Sequence, residues 1–231
     1  MGSVSPAAAP TRWRAAYPSS RSANPALRAP EKAVAIAYYL SHPQVRVDPA
    51  IPVPDWGLSD AGRERLSALA GRAWLASVRR IVSSGERKAI ETAEILAPLT
   101  GATVEVVAAM HENDRSATGF LPSEEFEATA DQFFAQPAQS VRGWERAIDA
   151  QARIARAVRR SLADRADDET ILFVGHGGVG TLLKCAIAGD PIDRRHDQAA
   201  AGGHPGGGNV HAFEADLSAS RFGWTAMEEL A

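Results

Sequence analysis

Four short apolar runs, each ending in small or polar residues, constrain this chain more than anything else in it. A-V-A-I-A-Y-Y-L ends at Ser41-His42-Pro43, and V-R-R-I-V ends at Ser83-Ser84-Gly85. T-V-E-V-V leads to Met110-to-Arg115, and T-I-L-F-V ends at Gly175-His176-Gly177-Gly178. Runs of this length, rich in β-branched and aromatic residues, read as buried strands. Between them lie stretches with helical signals. Ser59 is a good N-cap with Leu58 before it as a staple, and Leu66, Leu69, Ala70, Ala73 and Trp74 follow at helical spacing. Further helices are expected from about Glu86 to Leu99, stopped by Thr100-Gly101, then Ser123 to Phe134, Trp144 to Leu162 and Val179 to Ala188. N-V-H-A-F-E-A and R-F-G-W-T-A-M alternate as two closing strands. Strands alternating with helices imply an α/β fold: a three-layer sandwich with a mostly parallel central sheet and helices on both faces.

The 231 residues suffice for one such domain. Residues 1–31 are Ala-, Pro-, Ser- and Arg-rich and carry no acid before Glu31. Lacking a continuous apolar stretch, they are expected to be a disordered extension and not a secretory signal, with residues 32–231 forming a single domain. A net charge of -3 and scattered basic residues give no footprint for a nucleic acid. No run is long enough to span a membrane. The one cysteine, Cys185, rules out an internal disulfide and cysteine-based metal sites. In T-L-L-K-C-A-I it is expected to be a small buried helix residue, and the chain to be cytoplasmic. Oligomeric state is not legible.

In α/β sheets ligands bind outside the carboxyl ends of the strands. The four polar clusters therefore converge on one edge, bringing two histidines, a lysine and a glutamate together. The glycine-rich run near Gly206 is expected to be a flexible loop, and His196, His204 and His211 to be loop or strand-surface residues. His111 is expected to be a loop residue.

With these motifs in order, the chain resembles the histidine phosphatase superfamily, the phosphoglycerate-mutase-like enzymes. That family opens with Arg-His-Gly after the first strand, matched here by S-H-P at His42. A Leu-Thr/Ser-x-x-Gly helix start is matched by L-S-D-A-G, and Ser-Ser-Pro-Leu-x-Arg-Ala-x-x-Thr-Ala by S-S-G-E-R-K-A-I-E-T-A. The family's loop glutamate is matched by Glu112 and its Ser-His-Gly-Gly by G-H-G-G at His176. The resemblance implies the same three-layer fold in a single catalytic domain. It also implies a metal-independent phosphomonoesterase acting through a phosphohistidine, with no cofactor.

On that reading His42 is the nucleophile, Glu112 the general acid and His176 a catalytic phosphate donor. Two departures matter: Ser41 replaces the arginine before the nucleophile, and Lys88 the second arginine. A hydroxyl and a point charge thus stand where two planar forks would grip phosphate. Arg115 is the candidate replacement cation, with Arg194 and Arg195 as weaker ones, so Ser41, Lys88 and Arg115 form the expected phosphate-binding set. Glu112 can protonate the leaving alkoxide if burial raises its pKa; Asp114 is its rival.

The substrate is expected to be a small phosphate ester or a phosphoprotein, with no nucleic acid or membrane partner. The competing reading is a catalytically weakened phospholigand-binding protein of the same fold; a mutase is less favoured. A metal-dependent hydrolase is disfavoured, since no H-E-x-x-H spacing exists.

Overall fold

A computed structural model describes residues 35–231; the expected N-terminal extension lies outside the described residues. The chain runs β1 (Ile36–Ser41), α1 (Asp60–Ser67), α2 (Ala73–Ala76), β2 (Val78–Ser83), α3 (Arg87–Thr100) and β3 (Thr103–Val106). It continues through α4 (Ser123–Ala135), α5 (Ala147–Ala163), β4 (Thr170–Gly175), α6 (Gly177–Ala188), β5 (Asn209–Glu214) and β6 (Ser220–Ala226). The six strands form one sheet in the order β3-β2-β4-β1-β5-β6. The pairs β3–β2, β2–β4 and β4–β1 are parallel, and β1–β5 and β5–β6 are antiparallel. The expected α/β sandwich is therefore present, with an antiparallel edge.

The central strands β1 and β4 are apolar on both faces because both faces are covered, whereas β3, expected to be a buried strand, is exposed along its length as the sheet's edge. Tyr39, Phe173 and Phe213 point into a core built with α5 and α6, through Ile154, Val158, Leu182 and Leu183. Leu40, Ile81, Leu172 and Val174 point into the opposite core, with Leu66 of α1, Trp74 of α2 and Leu96 of α3. Side-chain alternation along each strand produces this division.

Helix boundaries follow local chemistry. Ser59 caps α1, its hydroxyl accepting from the Gly62 N–H at 3.2 Å. Gly101, at φ 70°, closes α3 in the left-handed conformation. One expectation is corrected: the apolar positions from Leu66 to Trp74 do not lie on one helix. The chain leaves α1 after Ser67, turns through Gly71 at φ 81° and starts α2 at Ala73. The buried side chains still share one core, which explains the misleading periodicity.

The helices after β1 and β2 pack on one face, whereas α6, after β4, packs on the other. The direction of winding changes at the end of β4, which opens a crevice there. Among the described residues no helix is long and apolar enough to cross a membrane.

Candidate active site

The sheet's backbone sets the site. One residue past the strands, the His42 N–H donates to the Gly175 carbonyl and the Ser84 N–H to the Val174 carbonyl, each at 2.9 Å. These bonds place the chain after β1, β2 and β4 side by side. The Tyr39 hydroxyl accepts from the His176 N–H at 3.0 Å and donates to its carbonyl at 3.2 Å, fixing the turn into α6.

The two histidines meet. Their ring centroids lie 5.3 Å apart with the planes at 71°. The His42 Nδ1 lies 2.8 Å from the Pro43 carbonyl. A carbonyl only accepts, so Nδ1 carries the proton and Nε2 keeps its lone pair. Burial first, then His176 and Lys88, lower the His42 pKa to about 3, so the ring is neutral near pH 7. His176 is fully buried, with Nε2 2.8 Å from the Ser84 hydroxyl and Nδ1 without a partner. Burial, assisted by Lys88 and Arg115 and opposed by Glu86 and Glu112, lowers its pKa to about 4.

Glu112 also reaches the site, from the loop after β3. Its carboxylate accepts from the N–H groups of Gly178 and Val179 in the first turn of α6, at 3.2 and 3.0 Å. A Cβ on Gly178 would lie 2.7 Å from that carboxylate, so the close approach requires glycine. Burial pushes the Glu112 pKa up, but His176, Arg115 and the Asn113 N–H outweigh it, and the net shift is downward. The condition under which Glu112 would rest as an acid, a pKa raised by burial, is therefore not met: charge and hydrogen bonds to the ionised form win. Asp114, the rival acid, is exposed and accepts from the Ser116 N–H at 2.8 Å.

Lys88 is buried at the start of α3, where its ammonium donates to the Val53 carbonyl at 2.9 Å and to Glu86. Arg87 is exposed and pairs with Glu91. The Arg115 guanidinium lies 5.0 Å from the Phe126 ring centroid and 5.6 Å from that of Trp144. Among the described residues it has no ion-pair partner, and its N–H donors remain available. The Ser41 hydroxyl is spoken for elsewhere: it donates to Gln198 Oε1 at 2.7 Å and accepts from the Asn209 N–H at 3.1 Å. Arg194 pairs with Glu127, and Arg195 is exposed beside Asp193.

Glu86, which the motifs do not single out, lies at the centre. It is buried, pairs with Lys88, stands 3.6 Å from His176 Nε2 and accepts from the Glu112 N–H at 2.8 Å. Burial opposes ionisation, but His176, Lys88 and the Glu112 N–H lower its pKa to about 2. In S-S-G-E-R-K it reads as one charge in a solvated run; nothing in the string marks it as inward-facing. Arg153 of α5 was equally unmarked. It donates to the carbonyls of Ala109 and His111 at 2.9 and 2.8 Å and to that of Glu112 at 3.2 Å, and it pairs with Glu145.

Two further expectations are corrected. His211 is not on a strand surface but fully buried, stacked on Tyr39 and edge-on to Trp224, because the β5–β1 pairing turns it into the core. The run near Gly206 is packed against the site: the Gly208 N–H donates to the His42 carbonyl at 3.1 Å, and Arg65 donates to the Gly207 carbonyl at 2.9 Å. Cys185 is buried in α6 as expected.

Beside Glu86 and Glu112 opens a cavity of about 720 Å³, with Val53, Ala108, His111 and Arg115 on its walls. Among the described residues no group of three or more His, Cys, Asp or Glu side chains could hold a metal ion.

A fold wound around such a crevice, with paired histidines at the ends of β1 and β4, defines a phosphoglycerate-mutase-like α/β protein. The chain belongs to the histidine phosphatase superfamily (branch 1), whose profile matches residues 46–202. His42 lies just before that segment. Among solved structures, the mycobacterial glucosyl-3-phosphoglycerate phosphatase in its native form is 24% identical, with a TM-score of 0.63 over 83% of this chain and 97% of that one. Its complex with inorganic phosphate is 25% identical, with a TM-score of 0.62 over 77% and 88%. Bacillus stearothermophilus YhfR is 24% identical, with a TM-score of 0.65 over 81% and 94%. No curated protein matches the chain.

Proposed function

We propose that the protein is a metal-independent phosphomonoesterase that works through a phosphohistidine on His42. One observation carries the reading: the Pro43 carbonyl holds the His42 Nδ1 proton, leaving a neutral ring with a free Nε2 lone pair beside His176. That is the state in which an imidazole attacks phosphorus. The family membership and the phosphatase among its structural neighbours support the same class. In the first step Nε2 bonds to phosphorus as the ester oxygen departs. In the second, water displaces the imidazole and releases phosphate.

Donors aimed at the transferring oxygens supply most of the stabilisation. Lys88, Arg115 and His176 are the proposed donors. The Ser41 hydroxyl is left out of this set because its bonds go to Gln198 and Asn209. Glu112, ionised at rest, fits the base that activates water in the second step. It serves as acid in the first step only after taking a proton from the arriving ester. The substrate class remains a small phosphate ester or a phosphoprotein, in a cytoplasmic setting. Brief incubation with an activated aryl phosphate, followed by mass spectrometry without acid, is expected to place one phosphoryl group on His42. Full turnover by His42→Ala overturns the reading.

The second reading, a weakened phospholigand-binding protein, is favoured by Glu86, a carboxylate that already holds Lys88. Binding of phosphate without phosphorylation of His42 would establish it.

A further inference from the structure

Glu86 stands among the donors that the phosphate reading assigns to substrate oxygens. Its Oε2 takes the Lys88 ammonium, its Oε1 takes the Glu112 N–H at 2.8 Å, and Oε1 lies 3.6 Å from His176 Nε2. One of the three donors proposed for phosphate, Lys88, is thus directed at a carboxylate of the chain itself, and a second, His176, stands beside it. Glu86 and Glu112 together also offset the charges of Lys88 and Arg115, so the pocket carries no excess of positive charge. A dianion entering it meets a fixed like charge in a site of reduced dielectric, where such repulsion is several times stronger than in water.

Resting on the phosphate-binding reading of this site, we propose that Glu86 is an internal anion that makes the pocket select phosphoryl groups carrying one negative charge over those carrying two. Its substrates would be phosphate esters bound as the monoanion, with the second charge protonated. The bound proton then lies where the reaction needs it. It passes to Glu112 or directly to the departing ester oxygen as the bond from His42 Nε2 to phosphorus forms. No further proton source is required, which accounts for an acid loop whose glutamate is ionised at rest.

The groups facing Glu86 keep one protonation state across the second ionisation of phosphate. His42 and His176 are held down to about 3 and about 4, and Glu112 and Glu86 are held below their ordinary values. Lys88 faces Glu86 as its ion-pair partner. His111 shares the cavity wall with Glu86, so the titration is run in the wild type and again in His111→Gln; a preference that persists in both reports the charge of the anion.

The test uses the purified full-length protein and inorganic phosphate, titrated calorimetrically on both sides of its second ionisation. The wild type is expected to bind the monoanion about tenfold or more tightly than the dianion, and Glu86→Gln to gain about tenfold or more for the dianion and lose the preference. Equal or tighter binding of the dianion by the wild type overturns the proposal, even if the variant fails to fold. A folded Glu86→Gln that binds the dianion no better overturns it too. Failure of the hydrolase reading is separable. If phosphate binding follows this pattern while His42 never becomes phosphorylated, the charge selection stands and the phosphatase falls.

Discussion

The loop after β2 and the loop after β3 each bring a glutamate close to His176, Glu86 buried and Glu112 half-buried, and the two are held in opposite ways. The Glu112 carboxylate is held by backbone: the N–H groups of Gly178 and Val179 in α6 and of Asn113 beside it leave it little freedom. Glu86 is held mainly by another side chain, Lys88, and by one N–H. A carboxylate held by backbone donors survives loss of any side chain nearby. One held by an ion pair is left as an uncompensated buried charge when its partner goes. The acid-side loop is thus part of the scaffold, whereas the β2–α3 corner is a mutual arrangement of two residues.

The comparison can be broken at several points. His42→Ala removes the atom both loops serve, and turnover of p-nitrophenyl phosphate is expected to fall on the order of 10⁴-fold or more, with stability retained. Lys88→Met should cost on the order of 10²–10³ in kcat/KM as a lost donor. It should also lower the unfolding free energy by about 3–5 kcal/mol by stranding Glu86, read by urea titration. Adding Glu86→Leu is expected to recover most of that stability. If Lys88→Met alone costs nothing, the corner is not the coupled pair described.

Glu112→Gln keeps an oxygen for only one side of its backbone grip and turns an NH2 toward an N–H of α6, so a cost of about 1–3 kcal/mol in stability is expected beside the loss of rate. Loss of activity is expected to be larger for an alkyl phosphate than for p-nitrophenyl phosphate, because an acid matters most for a poor leaving group. Equal losses on both would make the residue structural. Asp114→Asn, outside the buried set, should change either rate by less than about a factor of two; a selective loss there transfers the acid role.

The smallest effect is on acid stability. His42, His176 and His211 are held at about 3, about 4 and about 3, burial being the first cause in each. The folded chain therefore binds fewer protons than the unfolded one. Stability is complete above the ordinary imidazole value of about 6.5 and declines as pH falls toward the folded values. The melting temperature should begin to drop below about pH 6.5. His211→Phe, which keeps a ring between Tyr39 and Trp224, should lessen the slope. An unchanged slope would mean that His211 takes a proton without unfolding.

Strand positions were legible because each apolar run ends at a polar cluster, and the ends of β1 and β4 follow directly from Ser41-His42 and Gly175-His176, although the run at β3 is exposed and not buried. The convergence of His42, Lys88, Glu112 and His176 was legible for the same reason. What the string hides is direction. Glu86 and Arg87 are neighbours of like exposure by composition, yet one turns inward to Lys88 and the other outward to Glu91. Ser41 lies beside His42, but strand alternation sends its hydroxyl to Gln198 and Asn209. His211 looks like a polar strand position and becomes core only through the pairing of β5 with β1. In each case long-range packing decides, and local spacing carries no record of it.

Arg153 ties three successive parts of one loop to α5, and this divides the cavity wall by timescale. The segment from Ala109 to Glu112 is anchored to a helix whose core residues are fully buried, so its amides should exchange only when α5 itself opens. Beyond Asp114 the ties are fewer: the indole N–H of buried Trp144 donates to the Thr118 hydroxyl at 2.9 Å, and Ser116 to Gly119 are otherwise held by turns of their own. The amides of Ser116 to Gly119, held by short turns and a single indole bond, are therefore expected to exchange faster than those behind them at Ala109 to Glu112.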